Sequence, residues 1–373
     1  MPTDQNQLIH EHNTLLLDNK LDVRKRLTDL RQWLIEWLDV DDHLTAQIDS
    51  LDLENPIDIQ RGMQIAGLRR RLKMQWVKEP IEIWPPAVAN IPYTELCDHM
   101  ISQFLPLTEP EKILWLANLL FILTPDLREI NHKIETVRNY RSLGQQRNFL
   151  IGGHSGMGKT TYLDWLTSNY VPSVETDHNK VPIIKVDAPV NNGSAKPLFQ
   201  RMLMECGQVY SRKDTDETLL MKLILIIQKC GVEMIIIDEI EHIDRANIRR
   251  RLLEVSNLSR GTPIICASCE PLRWTEGDVE VQGRWNDFFE LKQYTGERLQ
   301  SLLAYLELLL PFTSPSFLGL TENTVGKNKT SPGPAKLIQE WTGGILRDIM
   351  VLIADASQRA IKNGDASPYF FHV

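Results

Sequence analysis

The stretch Gly153-His154-Ser155-Gly156-Met157-Gly158-Lys159-Thr160 decides how the rest of the chain is read. It satisfies the phosphate-loop pattern G-x-x-x-x-G-K-[ST] at every required position. Upstream, Asn148-Phe149-Leu150-Ile151 is a short apolar run that reads as a buried strand. Downstream, Thr161-Tyr162-Leu163-Asp164-Trp165-Leu166 carries apolar residues at helical spacing. Strand, loop and helix in that order are the context in which the pattern binds phosphate. Glycines let backbone N–H groups curl around a β-phosphate, where a side chain would clash or forbid positive φ. The following helix points its positive end at the same phosphates. Gly153, His154, Ser155, Gly156, Met157, Gly158, Lys159, Thr160 and Thr161 are therefore the expected nucleotide contacts. Lys159 would neutralise β- and γ-phosphate charge, and the Thr160 hydroxyl would hold Mg²⁺.

A second stretch supplies the chemistry. Glu233-Met234-Ile235-Ile236-Ile237-Asp238-Glu239 is hydrophobic throughout its middle and ends in two carboxylates. Continuous apolar character predicts a central parallel strand covered on both faces. Beside a phosphate loop, Asp238 would bind Mg²⁺ through its water shell, and Glu239 would orient and activate an attacking water. The pair points to ATP hydrolysis, with ATP and Mg²⁺ as cofactors. GTP is disfavoured, because Asn328-Lys329-Thr330-Ser331 lacks the final acid of the guanine-reading Asn-Lys-x-Asp motif.

A length of 373 residues allows two or three domains. With 42% hydrophobic and 24% charged residues, the composition is that of an ordinary globular protein. The net charge of −8 excludes a basic nucleic-acid coat, so any nucleic-acid contact must be a local patch. Five scattered cysteines (Cys97, Cys206, Cys230, Cys266 and Cys269) suit a reducing compartment. Cys266-x-x-Cys269 has metal or redox spacing, but it has no second pair and begins in an apparent buried strand. The polar opening and apolar runs shorter than about 20 residues predict a cytoplasmic protein with no membrane partner.

Along the chain, residues 1–90 read as a mostly helical extension, with an apolar stripe of Leu27, Leu30, Leu34, Ile35 and Leu38. Arg61, Arg69, Arg70, Arg71, Lys73 and Lys78 follow without an intervening acid, either a solvated face or a nucleic-acid or partner contact. Pro80, Pro85 and Pro86 suggest a boundary. Helices are expected over 93–104, 111–123 and 126–140, leading into the first strand beside the nucleotide site. Further strands are expected over 181–187, 263–268 and 288–291. Further helices are expected over 197–206, 219–230, 243–259, 297–310, 335–342 and 346–362. The helix over 243–259 has Arg245, Arg249, Arg250, Arg251 and Arg260 at or near it. The expected architecture is α/β, a parallel sheet flanked by helices. Its core spans 91–293, a small helical lid 294–366 and a tail 367–373.

This constellation resembles an AAA+ P-loop NTPase across roughly residues 92–365. On that resemblance, Ser268 is the first sensor, a polar side chain between the two acids and the γ-phosphate. Arg284 is an arginine finger reaching a neighbouring subunit's ATP. Arg347, in Gly343-Gly344-Ile345-Leu346-Arg347-Asp348, is the second sensor. An arginine supplied in trans makes assembly part of catalysis. Within AAA+ proteins, the chain resembles the transposon-encoded regulators TnsC and TniB. Val186-Asp187-Ala188-Pro189, Pro197-Leu198-Phe199 and the compact lid around Gly343-Gly344 and Arg347 carry that resemblance.

The resemblance implies an ATP-dependent regulator of transposition that forms a homo-oligomer, ring or filament, on double-stranded DNA. It would link a target-selecting adaptor or RNA-guided complex to a transposase. The segment after the second strand would face the DNA, with Asn191, Asn192, Ser194 and Lys196 as candidate backbone contacts. Two other readings stay open. One is an oligomeric AAA+ or signalling NTPase whose partner is a protein. The other is a metabolic kinase, which Glu239 and the extra arginines make less suitable.

Overall fold

The computed structural model describes residues 23–52, 54–55, 58, 61–62, 65, 81–82, 93–118, 122–142, 147–174, 179–190, 193–243, 245–320, 322–325 and 329–368. In chain order the helices are α1 (Val23–Asp49), α2 (Tyr93–Phe104), α3 (Glu109–Asn118), α4 (Pro125–Ser142), α5 (Lys159–Ser168), α6 (Lys196–Glu205) and α7 (Asp216–Lys229). They continue as α8 (Ala246–Leu258), the short α9 (Pro271–Thr275) and α10 (Val279–Arg284), α11 (Gly296–Leu309), α12 (Pro334–Thr342) and α13 (Leu346–Asn363). The main sheet is built from β1 (Phe149–Gly153), β2 (Ile183–Asp187), β3 (Met234–Asp238), β4 (Ile264–Ala267) and β5 (Asp287–Leu291). The chain divides into two compact units, residues 1–34, 80–125 and 293–373 in one and residues 35–79 and 126–292 in the other.

The second unit contains the sheet. Its five strands run in the order β2-β3-β4-β1-β5, and all pairings are parallel. This makes β1, β3 and β4 interior strands, and every residue of the three is buried. A parallel sheet covered on both faces demands such unbroken apolar runs, which is why the periodicity reads as continuous. β5 lies at one edge, with a burial pattern that alternates until Leu291. One contiguous core runs from Leu150 and Ile235 out to Phe199, Leu223, Leu252 and Trp274. At the entry to β1, Asn148 is buried; its side-chain oxygen accepts the Ile264 N–H at 2.9 Å, and its own N–H donates to the Arg284 carbonyl at 2.9 Å.

α4 is fastened to the elements around the loop. The Arg138 guanidinium donates to Glu233 at 2.9 Å and to the Tyr170 hydroxyl at 2.8 Å, and that hydroxyl donates to Glu135 at 3.0 Å. The Tyr162 hydroxyl of α5 donates to Asn131 at 3.2 Å. Burial and the neighbouring Glu135 carboxylate push the Tyr170 phenol up to about 12, so it stays a neutral donor.

In the other unit, α3 packs against α13, and the Trp115 indole N–H donates to the Leu309 carbonyl at 2.7 Å. The unit that holds residues 293–373 thus also takes in 80–125. α3 starts on a capping box in which the Thr108 N–H and hydroxyl both donate to Glu111. Its described residues run to Asn118, whereas the sequence predicts helix to Leu123. Ile122 and Leu123 instead pair in parallel with Ile81 and Glu82, a tertiary partnership that overrides local helix propensity. Residues 322–325 and 329–332 form an antiparallel pair that no periodicity announced.

Glu307 of α11 is buried, and its carboxylate accepts the backbone N–H groups of Ser316, Phe317 and Leu318. Burial raises its pKa and the three donors work in the opposite direction. Glu307→Ala would strand three N–H groups and is expected to cost about 3 kcal/mol of unfolding free energy, measured by denaturant titration. Glu307→Gln, which keeps an accepting oxygen, should cost less.

Candidate nucleotide site

The loop between β1 and α5 has the backbone that its glycines were expected to permit. Gly153, Gly156 and Gly158 have φ of 138°, 85° and 88°. At Gly153 a β-carbon would also lie 2.7 Å from the Leu291 carbonyl oxygen, so glycine is required there twice over. Gly158 caps α5 without a side-chain hydrogen bond, and the first helical bond is Tyr162 N–H to the Gly158 carbonyl at 2.9 Å. The N–H groups of the first turn are thus directed at the loop's concavity, an anion site. The Lys159 ammonium is buried and donates to the Gly153 carbonyl and, at 3.1 Å, to the His154 carbonyl. A phosphate would take over donors now spent on the loop itself.

The parallel register brings the acids to the loop. β4 separates β1 from β3, with Ile151 opposite Ala267 and Ile237 opposite Cys266. The ends of the three strands therefore share one edge. Asp238 is 2% exposed, accepts the Glu239 N–H at 2.9 Å and accepts the Thr160 hydroxyl. Burial raises its pKa above the usual carboxylate value, while Thr160 and Lys185 oppose the shift. A buried carboxylate beside a hydroxyl is a pair of hard oxygen donors, and it fits Mg²⁺. No cluster of three His, Cys, Asp or Glu able to hold a metal occurs among the described residues. Asp238 and Thr160 would thus hold the ion with phosphate and water completing its shell, and Mg²⁺ would neutralise charge on the phosphates.

Glu239 follows immediately and has φ of 55°, a left-handed backbone that is uncommon for a non-glycine residue. That conformation turns its side chain, 55% exposed, out of the sheet, with His242 Nδ1 3.6 Å from its carboxylate. Ser268 is buried just past β4; its N–H donates to the Ile151 carbonyl at 2.9 Å and its hydroxyl accepts the Glu270 N–H at 2.9 Å. It therefore stands between the loop strand and the acid strand.

Arg284 ends α10, and its carbonyl is bonded to Asn148, at the end of β1 opposite the loop. Five residues of strand, about 16 Å, separate it from its own chain's loop. Arg347 lies in the other unit, with Nε 3.1 Å from Asp348. Asn191, Asn192 and most of the basic run between Arg61 and Lys78 fall outside the described residues. The Ser194 hydroxyl donates to Asp216 at 3.1 Å, and the Lys196 ammonium donates to the Arg212 and Asp214 carbonyls at 2.8 and 2.6 Å. On α8, Arg249 donates to the Glu276 carbonyl, Arg250 faces Asp278 and Arg251 pairs with Glu217. Cys266 and Cys269 are both free thiols, the first buried.

Two residues lie beside the site although the sequence assigned neither of them to it. Cys269 Sγ lies 3.5 Å from Lys159 Nζ; the Cys266-x-x-Cys269 spacing marked the residue but not its place beside the loop lysine. Lys185 pairs with Asp164; its signal was a lone cation inside an apolar strand.

Glu239→Gln is expected to retain ATP binding while hydrolysis falls at least about 100-fold, read by steady-state phosphate release. Asp238 offers a test by pH. A folded pKa above the unfolded value means the proton favours folding, so its contribution is fullest below about 3.8 and is lost as pH rises through the folded value. Above that folded value the ionised group opposes folding. Asp238→Asn should therefore raise the melting temperature of the nucleotide-free protein while weakening Mg²⁺-dependent ATP binding.

Residues 112–267 match the family model of the bacterial TniB protein. Comparison with curated protein sequences finds no match. Among solved structures, the chain is similar to the ORC2 protein of Aeropyrum pernix in ADPNP–ADP complexes, at 14% identity and a TM-score of 0.44 over 66% of each chain. It is also similar to the ADP form of that protein, at 16% identity and a TM-score of 0.44 over 64% of each. Drosophila ORC bound to DNA matches at 12% identity and a TM-score of 0.43, over 71% of this chain and 64% of that one. The alignments with the two Aeropyrum structures thus span just under two thirds of those chains. No helix among the described residues is long and apolar enough to cross a membrane. With its phosphate loop, acid pair and strand order joined in one unit, the chain has the parallel α/β core of a P-loop NTPase and, over residues 112–267, resembles the bacterial TniB proteins.

Proposed function

We propose that this chain is an ATP-dependent regulator of transposition that assembles with ATP as a homo-oligomer on double-stranded DNA. It connects target-site selection, by an adaptor or RNA-guided complex, to a transposase, and it acts in the cytoplasm. The observation that carries the reading is the match to the bacterial TniB family over residues 112–267, the segment that holds the loop, Asp238 and Glu239. ATP hydrolysis serves as the switch. Lys159 and the first turn of α5 bind the phosphates, Asp238 and Thr160 hold Mg²⁺, and Glu239 takes a proton from the attacking water.

Arg284 acts on a neighbouring subunit's ATP. The place of its backbone supports this, because the Arg284 carbonyl is bonded to Asn148, at the end of β1 remote from its own loop. Arg347 is proposed to contact the γ-phosphate and Ser268 to polarise the attacking water. The DNA contact is assigned to Asn191, Asn192, Ser194 and Lys196. An ammonium has three donors, and Lys196 spends two on the 212–214 turn, which leaves one for a phosphate oxygen. The same bonds fix the segment's shape, so sequence-independent backbone contact is favoured over base reading.

The test is duplex DNA binding with ATP, a non-hydrolysable analogue, ADP or no nucleotide, followed by electron microscopy. Nucleotide-dependent rings or filaments on DNA are expected. Absence of DNA binding in every state, even at low salt, would redirect the search to a protein partner. Arg284→Ala should leave ATP affinity within about twofold yet lower turnover at least about 100-fold. Lys196→Glu should weaken DNA binding with nucleotide affinity unchanged.

A further inference from the structure

β2, Ile183-Ile184-Lys185-Val186-Asp187, carries a lysine where its apolar pattern asks for none. Lys185 is 8% exposed, a burial that lysine rarely adopts unless it is paired. The parallel register sets Lys185 beside Ile236 and Asp187 beside Asp238. Residues two apart on a strand share a face, so Lys185, Asp187 and Asp238 project from the same side of the sheet. α5 reaches that side with two residues one helical turn apart: Thr160, whose hydroxyl bonds Asp238, and Asp164.

Lys185 Nζ lies 2.8 Å from Asp164 Oδ1 and 3.6 Å from Asp187 Oδ1. The Asp164 contact is a close ion pair and the Asp187 contact a longer one. A second cation, Arg201, donates to the Asp187 carbonyl at 2.7 Å. One ammonium thus stands among three carboxylates, next to the oxygens that would hold Mg²⁺.

We propose that Lys185 is the resident counter-cation of the Mg²⁺ position. In the nucleotide-free protein its ammonium offsets Asp164, Asp187 and Asp238, so divalent metal enters only in company with nucleotide phosphates. The proposal rests on the nucleotide-site reading above. Its physical basis is repulsion in a weakly screened interior: an ammonium disfavours a bare dication, and a polyphosphate brings the negative charge that reverses the balance. A lysine is retained in the core for that reason, where a methionine would pack as well.

The test is Mn²⁺ binding to the full-length, nucleotide-free protein, followed by electron paramagnetic resonance or calorimetry. Lys185→Met removes the charge and keeps the volume; it is expected to bind Mn²⁺ at least about tenfold more tightly than wild type. Lys185→Gln retains a polar head for Asp164, serves if the methionine variant does not fold, and should give the same gain. Lys185→Arg should behave as wild type. Equal Mn²⁺ affinity in wild type and a folded neutral variant overturns the proposal. Mg²⁺·ATP binding by the same samples separates the two readings. Unchanged Mn²⁺ affinity with Mg²⁺·ATP binding intact removes only the counter-cation. A wild-type protein that binds no Mg²⁺·ATP removes the nucleotide site, and the counter-cation with it.

Discussion

The parallel register of β1, β3 and β4 is the constraint on which the nucleotide site depends. A phosphate loop and an acid pair are distant in sequence, and only the sheet brings them to one edge. With Asp187 opposite Asp238, and Ile151 opposite Ala267, the strands end together. Thr160, in the first turn after the loop, then meets Asp238 across the edge. A slip of one residue would turn every side chain to the opposite face and separate that pair.

The same edge concentrates charge that a core would otherwise exclude. Lys159, Lys185 and Asp238 are all buried, each with a partner. Burial of ionised groups opposes folding unless partners compensate, so the site is poised toward binding at the expense of stability. Backbone strain adds to this: Glu239 sits in the left-handed region at the one position where a carboxylate must leave the sheet. Interior strands carry the compensation, because β1, β3 and β4 are buried at every residue.

Around the sheet, cations that look available in sequence are committed in space. The arginines of α8 face Glu217, Asp278 and the Glu276 carbonyl, and Lys196 holds the turn at 212–214. Each of these cations thus has a local partner, and the net charge of the whole chain is −8. In the proposed assembly, DNA contact would depend on repetition of a few donors rather than on one subunit's field.

The amino-acid sequence by itself determined the phosphate loop, the strand that ends in Asp238 and Glu239, and every strand of the main sheet. Those features are local: glycine needs no neighbour to adopt positive φ, and a run such as Met234-Ile235-Ile236-Ile237 can only be buried. Tertiary structure alone decided the rest. It took Ile122 and Leu123 out of the predicted helix by giving them strand partners at Ile81 and Glu82. It grouped residues 80–125 with 293–373 by setting Trp115 against the Leu309 carbonyl. It placed Lys185 against Asp164 and set Arg284 at the far end of β1. Each of these is a contact between residues remote in sequence, and no local pattern encodes which charge or strand edge will be the partner.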